Sequence, residues 1–364
     1  MRQVAVPDGR PSQRGPRPTN DRDRQPAAAS APYIRTPGYA AIDLGTNNCR
    51  LLIARAENTQ LIVVDAFSRI VRLGEGLQAT GRISAAAMDR AVAALAVCGD
   101  KLRRRHVTLS RAVATEACRR AANGAELVDR VRQETGIVLD VIHAAEEARL
   151  AVLGCHSLLE PGDGPALIFD IGGGSTELML VGDHDGQVRI EDWISIPWGV
   201  VSLTEYAPVE GDTSAARLAA YQKMRAVTRE ALAGFASRVA TAPGSTALRL
   251  LGTSGTVTTL ASVFLELPRY DRRAVDGLVV PAEAMRDISA ALAAASIDER
   301  AAFGCIGRER ADLVVAGCAI LEGIMDLWPA SRVGVADRGI REGILRRLAG
   351  FDGDSPVIRR GQPQ

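Results

Sequence analysis

A chain of 364 residues is longer than one hydrophobic core usually serves, so two domains are expected. With 44 basic and 43 acidic side chains, 47% hydrophobic and 24% charged residues, it reads as a soluble globular protein whose net charge of +1 favours neither nucleic acid nor membrane. No apolar run reaches membrane-spanning length, no secretory leader is evident, and six cysteines without a C-x-x-C pair read as reduced, so a cytoplasmic protein is expected.

Residues 1–36 hold seven arginines and three aspartates among Pro, Gln and Ser, and so few large apolar groups that a disordered tail is expected. A first lobe, 37–162, opens with strands at 39–44, 51–56 and 61–67 that make an antiparallel meander. Ser84 then caps a helix whose inner face is Met88, Ala91, Val92, Leu95, Cys98 and Leu102. A strand at 109–115, a helix at 125–135, a strand at 138–142 and a helix from Ala144 lead to a Pro/Gly linker at 161–165. The second lobe, 163–338, repeats the opening hairpin and adds a strand at 193–196 and a long helix at 214–237. A strand, glycine turn and helix follow at 250–259, then a helix at 313–328 and a strand at 333–336. A last helix, 340–348 within 339–352, is expected to pack back on the first lobe.

The chemistry is concentrated in two similar stretches. Ile168-Phe169-Asp170-Ile171-Gly172-Gly173-Gly174-Ser175-Thr176-Glu177 reads as a buried strand, a glycine turn and a returning strand. Without Cβ atoms, Gly172, Gly173 and Gly174 let backbone amides approach an oxyanion, while Asp170 points at the same place, suited to a divalent cation. Ser175, Thr176 and Glu177 add polar groups at the rim. Ile42-Asp43-Leu44-Gly45-Thr46-Asn47 repeats the layout, with Asp43 matching Asp170 and Gly45, Thr46 and Asn47 matching the glycine turn. Two such hairpins a third of the chain apart suit duplicated α/β lobes that face one another across a cleft and clamp a phosphate chain with its metal. Gly252-Thr253-Ser254-Gly255 offers a third turn, where Gly252, Ser254 and Gly255 would hold an anion at a helix N-terminus or simply pack the helix. Glu146 and Glu147 open a helix beside the linker, so one of them can enter the cleft as a base for water, or both can complement the helix N-terminus. Arg69 and Arg119 are each a phosphate ligand or a surface arginine.

Together with Ala145-Glu146-Glu147-Ala148-Arg149 and Asp337-Arg338-Gly339-Ile340-Arg341-Glu342-Gly343, these motifs make residues 39–348 resemble the Ppx/GppA phosphatase family. The resemblance implies the two-lobed actin-like ATPase (ribonuclease H-like) α/β fold, with duplicated mixed sheets and a cleft between the lobes. It implies Mg²⁺-dependent release of terminal phosphate from inorganic polyphosphate, with hydrolysis of guanosine pentaphosphate (pppGpp) as the alternative. It makes Glu147 the catalytic base, Asp170 and Glu177 contacts to the metal and the attacking water, and Arg119 a substrate-phosphate ligand. A homodimer is allowed. Two departures stand out: the chain ends soon after its last helix, without the helical domains that extend the polyphosphate channel of long members, and Asp276-Gly277 stands where many relatives have His-Gly. A kinase of the same superfamily would leave Glu147 unexplained, and a non-catalytic polyphosphate or alarmone sensor would use the same clamp without turnover.

Overall fold

A computed structural model of the protein describes residues 37–351, apart from 59, 185–186, 243 and 245–247. The expected tail at 1–36 and residue 352 lie outside the described residues. The first sheet contains β1 (Gly38–Leu44), β2 (Asn48–Glu57), β3 (Gln60–Ile70), β4 (Val107–Ala114) and β5 (Leu139–Val141), in the order β3-β2-β1-β4-β5. The second contains β6 (Ala166–Ile171), β7 (Thr176–His184), β8 (Gln187–Ile196), β9 (Arg249–Thr253), β10 (Val279–Pro281) and β11 (Arg332–Ala336), in the order β10-β11-β9-β6-β7-β8. In each sheet an antiparallel three-stranded meander is followed by two strands parallel to its first. Thus β8-β7-β6-β9-β11 copies β3-β2-β1-β4-β5, and β10 adds one antiparallel edge strand.

The central strands of both sheets are apolar on both faces because each is covered twice. On the outer face of β1, Ala40, Ile42 and Leu44 join Met88, Ala91 and Leu95 of the helix Ala85–Arg104. Ser84 caps that helix as its sequence predicts, its side chain accepting from the Ala87 amide at 3.2 Å. On the outer face of β6, Leu167 and Phe169 pack with the helices Ser214–Ala240 and Val314–Leu327. A third core lies between the sheets, where Tyr39, Ala41 and Leu52 of one and Ile168, Met179 and Leu251 of the other enclose Leu150, Ala151, Ile344 and Leu345.

The helices Ala144–Cys155 and Ile340–Leu348, each following the last parallel strand of its sheet, therefore fill the seam between the lobes. Glycine sets how closely they approach. A Cβ at Gly343 would run into the Leu150 carbonyl, and one at Gly154 into the Gly339 carbonyl. Several short elements of the second lobe carry no clear pattern in the sequence, including the helices Val200–Tyr206 and Arg272–Val275 and the three-residue β10. The strand expected at 193–196 starts earlier, at Gln187, because it pairs with β7 as far as His184, across a register shift at Leu180/Val181.

This seam makes a paired prediction for urea unfolding. Gly343→Ala should lower stability by about 1–3 kcal/mol through overpacking against backbone that cannot move aside. Gly234→Ala, at an exposed interior position of the helix Ser214–Ala240 with no atom near the new methyl, should raise it by roughly 0.5–1 kcal/mol. Equal midpoints for the two variants would contradict the packing described.

Candidate active site

The two hairpin turns have the same construction. Each is a four-residue loop, Gly45 to Asn48 between the pair Leu44 and Cys49, and Gly172 to Ser175 between the pair Ile171 and Thr176. In both, the leading glycine amide donates to the carbonyl of the fourth residue, Gly45 to Asn48 at 2.9 Å and Gly172 to Ser175 at 3.0 Å. The loops come together from opposite lobes: a Cβ on Gly173 would lie 3.0 Å from the Thr46 Cβ and 3.1 Å from the Asn47 nitrogen. Glycine at 173 is what lets them meet.

Because the loops are equal in length, the strands leaving them share a register. Asp43 stands directly across from Arg50, and Asp170 directly across from Glu177. Cross-strand partners share a face, so each hairpin presents an aspartate with a neighbour: a cation in the first lobe, a second carboxylate in the other. Glu147 joins them from the first turn of the helix Ala144–Cys155. Asp43, Arg50, Glu147, Asp170 and Glu177 line one cleft, together with the turn from Asp337 to Arg341.

Asp43, Glu147, Asp170 and Glu177 perturb one another across a partly dry cleft, whose fifth carboxylate, Asp337, is paired with Arg272 at 3.1 Å. Burial, reinforced by Asp43, pushes Asp170 up to about 6 against the pull of Arg50 and Ser254. Glu177, 2% exposed, is pushed up to about 7 by burial and by Asp170, opposed by hydrogen bonds from Ser195 and Ser175. The Ser195 hydroxyl donates to its Oε1 at 2.7 Å. Glu147, 7% exposed, is raised well above the usual carboxylate range by burial and by Glu177, although Arg119 pulls it down. Asp43 is raised by burial and moderated by Arg50 and Arg341. The site is short of positive charge. Asp43 Oδ1, Asn47 Oδ1 and Asn48 Oδ1 are also buried without a hydrogen-bond donor.

These features fit a hard divalent cation. Two aspartates from opposite lobes face the same cleft, one with an orphaned oxygen, and among the described residues no cluster of three or more His, Cys, Asp or Glu forms a ready protein cage. Magnesium is typically held this way, by one or two carboxylates with water and substrate oxygens completing its octahedron.

Of the other residues singled out in the sequence, Gly45, Thr46, Asn47, Gly172, Gly173, Ser175 and Ser254 line the cleft. Gly174 packs against Thr46 and Glu116, and the Thr176 hydroxyl donates to the Trp198 carbonyl at 2.7 Å. Gly255 follows Ser254 at the start of the helix Gly255–Phe264, close to the Arg50 guanidinium. Ser254 has φ 83° and ψ −175°, a backbone region that costs a non-glycine residue about 1–3 kcal/mol, and its hydroxyl donates to the Ile171 carbonyl at 2.9 Å. Gly252 stands apart from the cleft: it lies within β9, where a Cβ would strike the Phe169 ring and Val257, so packing accounts for its lack of a side chain.

Arg119 lies behind the cleft wall. It donates to Glu147 Oε2 at 2.6 Å, to Glu116 Oε2 at 2.7 Å and to the Ile142 carbonyl at 2.9 Å, so its guanidinium is engaged in holding Glu147. Arg50 and Arg341 are the arginines the sequence reading passed over. Both line the cleft, and neither makes an ion pair or side-chain hydrogen bond among the described residues. Arg50 was recoverable from the sequence, since counting across equal four-residue loops puts it opposite Asp43 as Glu177 is opposite Asp170. The Asp337 to Gly339 turn is fixed from behind by Asp276, which accepts from the Asp337 amide at 3.0 Å and from Arg338 Nε at 2.8 Å.

Comparison with known proteins agrees with this architecture. Residues 52–350 match the model of the Ppx/GppA phosphatase family. The chain is 31% identical over 329 residues to exopolyphosphatase 2 of Mycobacterium tuberculosis, covering 85% of this chain and 98% of that one. It is 28% identical over 319 residues to a guanosine-5'-triphosphate,3'-diphosphate pyrophosphatase of Aeromonas hydrophila, covering 88% of this chain and 61% of that longer one. Among solved structures, an exopolyphosphatase from Cytophaga hutchinsonii matches with a TM-score of 0.77 at 27% identity, over 86% of this chain and 98% of that one. The Aquifex aeolicus member of the Ppx/GppA family matches with a TM-score of 0.70 at 28% identity, over 87% and 99%. With two mixed sheets in the two-lobed actin-like arrangement and a family match across most of its length, the chain belongs to the Ppx/GppA phosphatase family.

Proposed function

We propose that the protein is a phosphoanhydride hydrolase that releases the terminal phosphate of inorganic polyphosphate, with pppGpp as the alternative substrate of the same cleft, in a Mg²⁺-dependent reaction. The observation that carries this reading is the meeting of two identically built turns over Asp43, Glu147, Asp170 and Glu177, with two unengaged arginines beside them. Relatives named for each of these substrates support it.

Closing each turn uses the Gly45 and Gly172 amides, which leaves the amides that follow for phosphate oxygens. Arg50 and Arg341 neutralise the chain from the first-lobe side and from the last helix, and guanidinium forks suit phosphate oxygens. Asp43 and Asp170 would hold Mg²⁺, which when bound supplies charge neutralisation to the bridging and terminal oxygens. Glu147 takes the proton from the attacking water, and Glu177, fixed by Ser195, orients that water. Arg119 is a positioning residue in this scheme, since it holds Glu147 rather than substrate. The terminal phosphate therefore lies toward Glu147 and Glu177, and the rest of the chain toward Arg50. An acid raised above its usual range is a competent base near neutral pH because its conjugate acid is weak enough to retain the proton.

Glu147→Gln should lower kcat by about 10²–10⁴-fold while tripolyphosphate binding changes little, since charge at the base, not shape, is lost. Wild-type turnover in that variant would end the proposed role, and absence of phosphate release from the wild-type protein would favour the sensor. Asp170→Ala should abolish the Mg²⁺-dependent component of the rate; metal-dependent turnover retained in that variant would refute the metal assignment.

The pH profile gives a separate check. Glu147 must be ionised to act, so kcat/KM should rise with pH through an acid limb set by its raised pKa. Arg119 favours the ionised form, so Arg119→Ala should move that limb to higher pH as well as lower the rate. A limb that stays in place or moves to lower pH would contradict the assignment of Glu147.

A further inference from the structure

A second cavity, of about 960 Å³, lies between β2 and β3 on one side and the helices Arg272–Val275 and Ile340–Leu348 on the other. Leu61 and Val63 give it an accessible apolar wall, with the buried Leu52 and Leu345 behind them. The opposite wall carries four guanidinium groups, from Arg272, Arg273, Arg338 and Arg346, against two carboxylates, Asp276 and Glu342. Arg338 also lines the catalytic cleft, so a single turn of chain separates the two spaces.

The two carboxylates are shared. Asp276 holds both the Asp337 amide and Arg338 Nε. Glu342 accepts from the Gly339 amide at 2.9 Å and from Arg272 at 2.7 Å. The carboxylates that hold Arg338 and Arg272, with Asp337 itself pairing with Arg272 at 3.1 Å, are thus the groups that pin the Asp337 to Gly339 turn into the cleft. Arg273 lines the cavity and makes no ion pair among the described residues, so it is the guanidinium there open to an anion.

We infer that this cavity is a regulatory site for a small organic phosphate with a planar or apolar body, of the nucleoside monophosphate class. Its volume is that of a small-molecule pocket, its arginines suit a phosphate, and its apolar wall suits a ring. An anion that draws Arg338 or Arg272 from its carboxylate loosens the turn behind the cleft, so occupancy weakens the grip on the substrate chain. By linkage, a phosphate chain in the cleft weakens the second ligand by the same factor. The effect on catalysis rests on the hydrolase reading above; binding in the cavity does not.

The test titrates adenosine 5'-monophosphate, which has no anhydride bond, into the full-length Glu147→Gln protein by calorimetry at increasing tripolyphosphate. The expected result is saturable 1:1 binding, weakened about tenfold or more by Arg273→Glu, the fold-change one charge-assisted contact carries. Tripolyphosphate should weaken it only to a limiting factor, as coupling between two sites requires. In the wild-type protein the nucleotide should raise the KM for polyphosphate about fivefold or more. Arg273→Glu should remove that response and leave basal kcat/KM within about twofold. Absence of saturable binding, insensitivity to Arg273→Glu, or tripolyphosphate competition that never levels off would overturn the inference. If the wild-type protein shows no turnover, the hydrolase reading fails and the calorimetry still decides the cavity.

Discussion

The structure depends on how closely two glycine turns from opposite lobes can approach. A side chain at 173 would meet Thr46 and Asn47, and those residues are also the floor of the cleft, so the contact that brings the lobes together is the contact that shapes the site. The same demand recurs behind it. Gly154 and Gly343 let the two seam helices touch backbone to backbone, and the register of those helices sets where Glu147 and Arg341 enter the cleft. Packing between the lobes and the geometry of the site are one problem solved twice with the same residue.

Duplication explains the layout but not the chemistry. The two halves share sheet order, loop length and turn hydrogen bond, yet across from the paired aspartates one carries Arg50 and the other Glu177. That single difference gives the cleft a direction, with charge neutralisation at one end and carboxylates at the other. Burial holds Glu147, Asp170 and Glu177 above their ordinary range, and neighbouring carboxylates add to it: Glu177 for Glu147, Asp43 for Asp170 and Asp170 for Glu177. In the proposed reaction, the divalent cation that enters with the phosphate chain relieves this repulsion.

Much of this was legible because it is local. The paired glycine turns, the Ser84 cap and the last helix, Ile340–Leu348, follow from strand period, turn chemistry and helix periodicity read over about ten residues. What escaped was tertiary. The pairing of Arg119 with Glu116 nearby and Glu147 twenty-eight positions on could not be read locally, because the two glutamates converge only once β4 and β5 pair. Gly252 looked like a turn glycine because nothing local announces the Phe169 ring lying over it. Short helices such as Arg272–Val275 are held by the groups around them, Arg272 by Glu342 and Asp337, and carry too few residues for a period to show.

The central claim is that both turns grip one phosphate chain at the same time. The direct measurement is a crystal structure of the Glu147→Gln protein with tripolyphosphate and Mg²⁺. The account predicts phosphate oxygens within hydrogen-bonding distance of amides in both the Gly45 to Asn48 and the Gly172 to Ser175 loops, with the metal between Asp43 and Asp170. A chain bound to one loop alone, or lying outside the cleft, would contradict it.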